Sequence, residues 1–265
     1  MCGRYASSAS PDDLVEELSV EQDLTGGELK PDYNLAPTTA APVVLQRPPR
    51  DDKAAKPVRQ LRLLTWGLVP SWAKDPSVAS RMINARVESL LDKPAYRRAA
   101  LTRRCLVPAD GWYEWQKSPT AVDAKGKPRK QPFFIHLQDG GQLAFAGVFE
   151  FWRDKARADD DPLAWLTTYA IVTTEAEPGL DRIHDRMPVV VPRERWDDWL
   201  DPALDDPDRV RELLAPSEPG RFAAYPVSRR VGNVANGGPE LLEPVDASDL
   251  EGVVDPMTGE VLGAR

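Results

Sequence analysis

The sequence predicts an α+β fold with a central, mainly antiparallel, barrel-like β-sheet flanked by short helices. Short stretches rich in β-branched and aromatic residues recur along the chain, and this composition is typical of strands. Segments with helix start signals are few and short. Many strands with few long helices favour the α+β class. The expected strands are LRLLTWGLV, RCLVPA, WYEW, FFIHL, LAFAGVFEFW, WLTTYAIVTT and MPVVV.

Short helices are expected at four places. Over residues 11–19, a capping Ser10 precedes a proline at the first helical position and acidic residues in the first turn. Further helices are expected over about residues 86–92, at RERWDDWL and at PDRVRELLA, the last after the start signal Asp206–Pro207. The polar stretch QKSPTAVDAKGKPRKQP, between WYEW and FFIHL, predicts a long hairpin loop.

The 265 residues suffice for one large domain with a substantial core. Residues 47–60, residues 153–162 and the acidic stretch near the C-terminus have the composition of surface segments, and none of them separates two plausible cores. We therefore expect one domain over residues 1–245 and an acidic C-terminal tail over residues 246–265, without internal repeats.

The composition excludes several classes of protein. No run of 18 apolar residues occurs and the first 30 residues lack a signal-peptide pattern, so we expect a cytoplasmic protein without a membrane partner. The two cysteines, Cys2 and Cys105, suit a reducing compartment and cannot form a four-cysteine zinc site. Since His136 and His184 are the two histidines, neither a metal nor another cofactor is expected.

The net charge of −8 is unevenly distributed. Residues 240–265 hold seven acidic residues against one arginine, which leaves the first 239 residues at −2. Residues 81–104 carry seven basic residues against Glu88 and Asp92, a local charge of +5. This segment is compatible with phosphate contacts. A solvated, arginine-rich helix explains the charge equally well.

The cysteine directly after the initiator methionine has a chemistry that no internal cysteine shares. If Met1 is removed, Cys2 carries a free α-amine and a thiol on neighbouring carbons. Such a 1,2-aminothiol forms a Schiff base with an aldehyde, and its sulfur then closes a five-membered thiazolidine ring. The alternative is that Cys2 lies by chance at a frayed terminus.

Polar residues of catalytic type lie inside apolar or turn-like stretches. Glu114 stands among the aromatic residues of WYEW, where desolvation raises a carboxyl pKa and suits a general acid/base. His184 lies between a turn and an apolar strand. Each has a structural alternative: Glu114 as the outward residue of an alternating strand, His184 as a capping or core histidine. Arg4 and Arg86 suit an internal carboxylate as well as a phosphate.

A series of motifs runs from residue 2 to about residue 245: MCGRY, YNLAPT, WGLVPSWAKD, INARVES, RCLVPADGWYEW, FAGVFE, IVTTEA, IHDRMPVVV and YPVSRRVGNV. This ordered set resembles the SRAP family (SOS-response-associated peptidase), whose members process abasic sites in DNA. The resemblance implies a compact α+β unit with a barrel-like antiparallel sheet. It also implies loss of Met1, and a thiazolidine crosslink between the N-terminal cysteine and the aldehyde of an abasic site in single-stranded DNA.

The resemblance assigns catalytic roles to four residues. Cys2 is the nucleophile through its amine and its sulfur, and Asn84 orients Cys2 or the sugar. Glu114 is the acid/base, and His184 assists ring opening of the sugar or proton transfer. The implied activity is lyase-like abasic-site processing, with autoproteolytic removal of Met1 as an accompanying peptidase activity.

The resemblance also implies a DNA-binding set. Arg4 and Arg86 would hold the phosphates beside the lesion, and Trp72 would stack on bases without reading their sequence. Some family members carry a second aromatic residue where this chain has Ala73, so stacking is expected to be weaker. The expected partner is single-stranded DNA with abasic sites, bound by a monomer.

Two other functions remain open at this stage. A thiol peptidase would use Cys2 on an amide, with Glu114 or His184 as base, and would turn over peptides. A non-catalytic single-strand binding protein would use the arginines and tryptophans and would tolerate loss of Cys2.

Overall fold

A computed structural model of the chain describes residues 2–49, 51–158, 160–246, 250 and 252–262. Its α-helices are α1 (Pro11–Glu17), α2 (Pro94–Thr102), α3 (Trp196–Leu200) and α4 (Pro207–Leu213). Its strands are β1 (Tyr5–Ser7), β2 (Gln22–Asp23), β3 (Asp32–Leu35), β4 (Ala40–Arg47), β5 (Val58–Trp66), β6 (Asn84–Arg86), β7 (Arg104–Ala109), β8 (Gly111–Val122), β9 (Pro128–Leu137), β10 (Leu143–Arg153), β11 (Trp165–Glu175), β12 (Arg186–Pro188), β13 (Phe222–Pro226), β14 (Val253–Val254) and β15 (Val261–Leu262).

Five strands close into a barrel in the order β11, β10, β7, β4 and β5. Neighbouring strands along this path are antiparallel. The closing pair, β5 with β11, is parallel and sets Trp66 opposite Tyr169. The short strands β6 and β12 add to β11 beyond this point. The predicted α+β class with a mainly antiparallel, barrel-like sheet is therefore confirmed.

A second sheet, in the order β13, β9, β8, β1 and β3, is antiparallel throughout. Its first strand in the chain, β1, lies between β8 and β3, so backbone hydrogen bonds hold the N-terminal segment on both sides. Tyr5, for example, stands opposite Trp112 on β8 and Leu35 on β3. A segment tied down in this way is not the frayed terminus that the position of Cys2 alone suggested.

Large aromatic side chains fill the space between the second sheet and the barrel. The ring centroids of Tyr5 and Trp66 are 5.1 Å apart, and those of Trp112 and Phe145 are 6.0 Å apart, both in edge-to-face geometry. The hydroxyl groups of Tyr5 and Tyr169 are 2.6 Å apart in this core. The packing joins β1 to the barrel wall and so determines where Cys2 lies.

Two local expectations are wrong. Residues 86–92 do not form an α-helix, because residues 84–86 pair with β11 as strand β6 and only a single 3₁₀ turn, Val87–Ser89, follows. The hairpin loop after WYEW is short, because β8 and β9 extend into the polar stretch and leave residues 123–127 as the turn. In both places pairing with another strand prevails over local composition.

Described residues near the C-terminus pack onto this core. Leu250 and Val253 are buried among the residues of the main core, and β14 and β15 form a small hairpin. The division into residues 1–245 and 246–265 stays a prediction. No helix in the described ranges is both long and apolar enough to cross a membrane.

Candidate active site around Cys2

Cys2 is fully buried and belongs to the same cluster as Tyr5 and Trp66. Its backbone carbonyl accepts a hydrogen bond of 2.7 Å from Asn84 Nδ2, and its sulfur accepts one from the backbone N–H of Arg4. Burial raises the pKa of the Cys2 thiol well above its usual value, and the nearby Glu114 adds to the rise. The thiol is therefore neutral in this environment and needs a base before its sulfur can react.

Asn84 begins β6, and its position is set from both sides. The indole N–H of Trp66 donates to the carbonyl of Ile83 over 2.9 Å, and the hydroxyl of Tyr96 donates to the carbonyl of Asn84 over 3.2 Å. These bonds place the side-chain amide of Asn84 within hydrogen-bond distance of the main chain of Cys2. The acceptor atom Oδ1 of Asn84 is buried and has no hydrogen-bond partner among the described residues, although burying such an atom unpaired costs about 1–3 kcal/mol.

Glu114 lies on β8 opposite Phe133 and is only 3% exposed. Burial raises its pKa to about 7, and the charge of Asp185 adds to the rise. A carboxyl group with this pKa both accepts and donates protons at neutral pH. Glu114 interacts electrostatically with Cys2 and with Asp185, the residue after His184.

His184 follows the 3₁₀ turn Leu180–Arg182, and its backbone N–H donates to Leu180 O over 3.1 Å. Its ring atom Nδ1 accepts a hydrogen bond of 3.0 Å from the backbone N–H of Arg186. An accepting Nδ1 places the proton of the neutral ring on Nε2. Burial lowers the pKa of His184, so the neutral form prevails at pH 7. The contact of 2.9 Å between Nδ1 and Asp185 becomes an ion pair only when the ring is protonated.

An ion pair that the sequence did not predict joins the two segments bearing Asn84 and His184. Arg186 donates to both carboxylate oxygens of Glu88, over 2.6 and 2.9 Å, and to the carbonyl of Thr173 over 2.8 Å. Arg186 is 8% exposed, so this bidentate pair fixes β12 against the turn after β6. The sequence shows only that both segments, INARVES and IHDRMP, contain charged residues. Glu88 and Arg186 are 98 positions apart, and no sequence pattern predicts a contact over that separation.

The predicted DNA-binding residues lie in different environments. The Arg4 guanidinium is partly buried and donates to Asn34 Oδ1 over 2.6 Å and to Val231 O over 2.8 Å. The Arg86 side chain is exposed and makes no hydrogen bond to another described residue. Trp72 is 69% exposed on the segment between β5 and β6, and it makes no hydrogen bond or ring contact to the described residues around Cys2.

The basic segment of residues 81–104 presents less positive charge to solvent than its sequence indicates. Arg104 is buried, and its guanidinium binds the backbone carbonyls of α2 and of the end of α3. Arg103 pairs with Glu150 at 3.0 Å. Arg86 and Arg98 are among the members that remain exposed.

The described residues offer no group of three or more His, Cys, Asp or Glu side chains that could hold a metal ion. The candidate site predicted from the sequence comprises the thiol of Cys2, the carboxyl group of Glu114 with its raised pKa, the amide of Asn84 and the neutral imidazole of His184.

The fold and the site define this chain as an α+β barrel protein with a buried cysteine at position 2. Comparisons with known proteins identify the family. Residues 1–234 match the family model described as SOS response associated peptidase (SRAP), and the chain belongs to this family. The resemblance seen in the motifs is thus confirmed.

The relatives extend over nearly the whole chain. The chain is 37% identical over 243 residues to the abasic site processing protein YoqW of Bacillus subtilis. The match covers 92% of this chain and 99% of that protein. It is 32% identical to the abasic site processing protein HMCES of Gallus gallus, over 93% of this chain and 78% of that protein. A crystal structure of a Bacteroides thetaiotaomicron protein has the same fold, with a TM-score of 0.75 and 22% identity over 92% of this chain and all of that one.

Proposed function

We propose that this protein processes abasic sites in single-stranded DNA by forming a covalent crosslink through Cys2 after Met1 is removed. The observation that carries the proposal is the hydrogen bond of 2.7 Å from Asn84 to the main chain of Cys2, beside the buried Glu114. A thiol peptidase needs the sulfur alone. A site that also holds the backbone of Cys2 suits a reaction in which the nitrogen of this residue takes part. The named activity of the relatives supports the same conclusion.

The reaction follows from the chemistry of a 1,2-aminothiol. The neutral amine of Cys2 adds to the aldehyde carbon of the ring-opened abasic sugar, and the resulting carbinolamine loses water to form an imine. The sulfur of Cys2 then adds to the imine carbon while the thiol proton passes to the nitrogen. One water molecule leaves in total, and the product is a thiazolidine that joins protein and DNA.

Glu114 and His184 divide the proton transfers. With a pKa of about 7, Glu114 accepts a proton from the ammonium or thiol of Cys2 and returns it to the departing hydroxyl. His184 presents an Nε2–H group, which assists opening of the sugar ring by hydrogen bonding to the ring oxygen. The same groups run the reverse reaction, so the crosslink is also released through them.

The DNA contacts are assigned by exposure and position. Arg86 lies two residues after Asn84 on β6, so the two side chains share one face of that strand, and the exposed guanidinium suits a phosphate beside the lesion. Arg4, two residues after Cys2 along the chain, supplies positive charge for a second phosphate. Trp72 offers an exposed ring for base stacking. None of these contacts selects a base sequence.

Met1 must be absent for the amine to react, because a peptide nitrogen does not form an imine. We propose that the protein removes Met1 itself, with Cys2 as the nucleophile, or that a cellular aminopeptidase does so. The intact mass of the purified protein measures the result directly.

The experiment is mass spectrometry of the protein with and without a single-stranded oligonucleotide that contains one abasic site. We expect a chain without Met1, and an adduct whose mass equals protein plus DNA minus one water. An oligonucleotide without the abasic site is the control for noncovalent binding.

Two cysteine variants sharpen the experiment. Cys2→Ser should yield no stable adduct, because an oxazolidine reopens in water. Cys105→Ser should crosslink normally, since Cys105 is a buried core residue. Equal loss in both variants, an active protein that retains Met1, or turnover of peptides without any DNA adduct would overturn the proposal.

A further inference from the structure

The last described segment of the chain, residues 252–262, forms a hairpin that we call the C-terminal hairpin. Val253 pairs with Leu262 and Val254 with Val261, and Asp255 caps the turn by accepting the backbone N–H groups of Met257 and Thr258. The hairpin lies beyond residues 1–234, which match the family model. The contacts of the hairpin are therefore described from this chain alone.

The C-terminal hairpin binds β8 through Gln116, which lies two residues after Glu114 on the same face of the strand. The Gln116 amide donates to Val254 O over 2.8 Å and accepts from the Val254 N–H over 2.8 Å. The second N–H of the same amide donates to Arg182 O over 3.2 Å. One buried side chain thus joins the hairpin to the turn that precedes His184.

The turn of the hairpin also touches that segment directly. The Arg182 guanidinium donates to Pro256 O over 2.6 Å. Met257 packs against Gly179, where a Cβ would lie 3.3 Å from the methionine sulfur. Gly179 has φ +98°, a conformation that other residues rarely adopt. The positive-φ residue of this segment is therefore the one that the hairpin contacts.

The backbone links these contacts to the imidazole. The N–H of His184 donates to the carbonyl of Leu180, which begins the turn that the hairpin contacts at Arg182 and at the preceding Gly179. The imidazole then accepts from the N–H of Arg186, so a shift of the turn moves the ring out of line with that donor.

We propose that the C-terminal hairpin contributes to the active site by holding the turn before His184 in place. Gln116 and Arg182 are the positioning residues through which the hairpin acts. The effect on catalysis rests on the function proposed above. The effect on the geometry of His184 does not depend on DNA and is measured separately.

The first measurement is the tautomer of His184, from the ¹⁵N chemical shifts of the imidazole nitrogens at mildly alkaline pH, above the ordinary pKa of a histidine side chain. In the wild-type protein His184 should be the Nε2–H form. His136, whose Nδ1 lies 2.7 Å from the carbonyl of Leu137 and so carries the proton, is an internal reference of the opposite form. Arg182→Met and Gln116→Met should each shift His184 toward a mixture of forms and leave His136 unchanged.

The second measurement is the single-turnover rate of crosslinking. A displacement of about 1 Å can slow a reaction about a hundredfold, so we expect Arg182→Met to slow crosslinking by about tenfold, and by no more than His184→Ala does. In a His184→Ala background, Arg182→Met should have no further effect. Arg182→Lys, which keeps the charge and a donor, should restore part of the rate.

Gln131→Met is the matched control. Gln131 stands opposite Gln116 on β9, is also buried, and donates to backbone carbonyls of residues 132 and 227 rather than to the hairpin. It should lose stability as Gln116→Met does while the His184 tautomer stays unchanged.

The outcomes separate the two proposals. Folded Arg182→Met and Gln116→Met proteins with an unchanged His184 tautomer, a rate loss that persists in the His184→Ala background, or an equal tautomer change in Gln131→Met would each overturn the role of the hairpin. A wild-type protein that never crosslinks would instead overturn the proposed function, and the tautomer measurement would still decide the question of the hairpin.

Discussion

The raised pKa of Glu114 has a consequence for stability, which we predict for the variant Glu114→Gln. Glutamine has nearly the same shape as the protonated side chain but cannot ionise. The wild-type protein must leave a nearly buried carboxylate charged at high pH, whereas the variant does not. Removing this proposed acid/base group should therefore stabilise the fold while it impairs the reaction.

The magnitude follows from proton linkage. In the unfolded chain the pKa of Glu114 is at its ordinary value of 4.5, and in the folded protein it is about 7. Between these values the folded protein retains a proton that the unfolded chain has released, so the free energy of unfolding falls as pH rises. The difference of about 2.5 pKa units, at 1.36 kcal/mol each, corresponds to about 3 kcal/mol above pH 7.

The assay is urea unfolding of wild type and Glu114→Gln across this pH range. The two proteins should be about equally stable below pH 4.5, and the variant should gain about 3 kcal/mol over wild type by pH 8. A stability difference that does not change between these pH values would refute the argument that burial raises this pKa. On DNA, the same variant should crosslink at least about a hundredfold more slowly with little change in noncovalent affinity.

Two further predictions concern the charged residues of the site. Arg86→Ala should reduce the slope of log affinity against log salt concentration by about 0.7 for single-stranded DNA. Arg211→Ala on α4, which removes the same charge, should leave the slope unchanged. Salt titrations of noncovalent binding measure both slopes, and equal slopes in wild type and Arg86→Ala would rule out a phosphate contact by Arg86. Glu88→Gln should cost about 1 kcal/mol at neutral pH, because it breaks the ion pair with Arg186 and the Glu88 side chain is 50% exposed. Since the pKa of Glu88 is lowered by Arg186, the cost should disappear as pH falls through that pKa, and a cost that persists at acidic pH would contradict this assignment.

Sequence reasoning predicted most strands and the fold class correctly, because local composition and motif order report what each segment can do by itself. It named Cys2, Asn84 and Glu114, and in the structure Asn84 donates to the carbonyl of Cys2 while Glu114 interacts electrostatically with the Cys2 thiol. Their individual roles remain predictions. It also predicted that aromatic neighbours would raise the pKa of Glu114, and the buried position on β8 agrees.

Where composition favoured a helix or a loop, the structure formed strands instead. Residues 84–86 joined β11, and the polar stretch after WYEW became paired strands, because backbone hydrogen bonds to a distant partner outweigh weak local preferences. Arg104, counted as part of a basic face, lies inside the fold with its donors on backbone carbonyls. A charge count cannot distinguish a solvated arginine from a buried one.

The sequence by itself determined which chemical groups this protein has: a cysteine directly after the initiator methionine, a carboxyl group among aromatic residues and a histidine before an apolar strand. Only the tertiary structure decided their surroundings. The parallel closure of the barrel, the pairing of Glu88 with Arg186 and the attachment of the C-terminal hairpin each join residues more than 60 positions apart. Such contacts depend on how whole elements pack, and neither periodicity nor spacing along the chain encodes them.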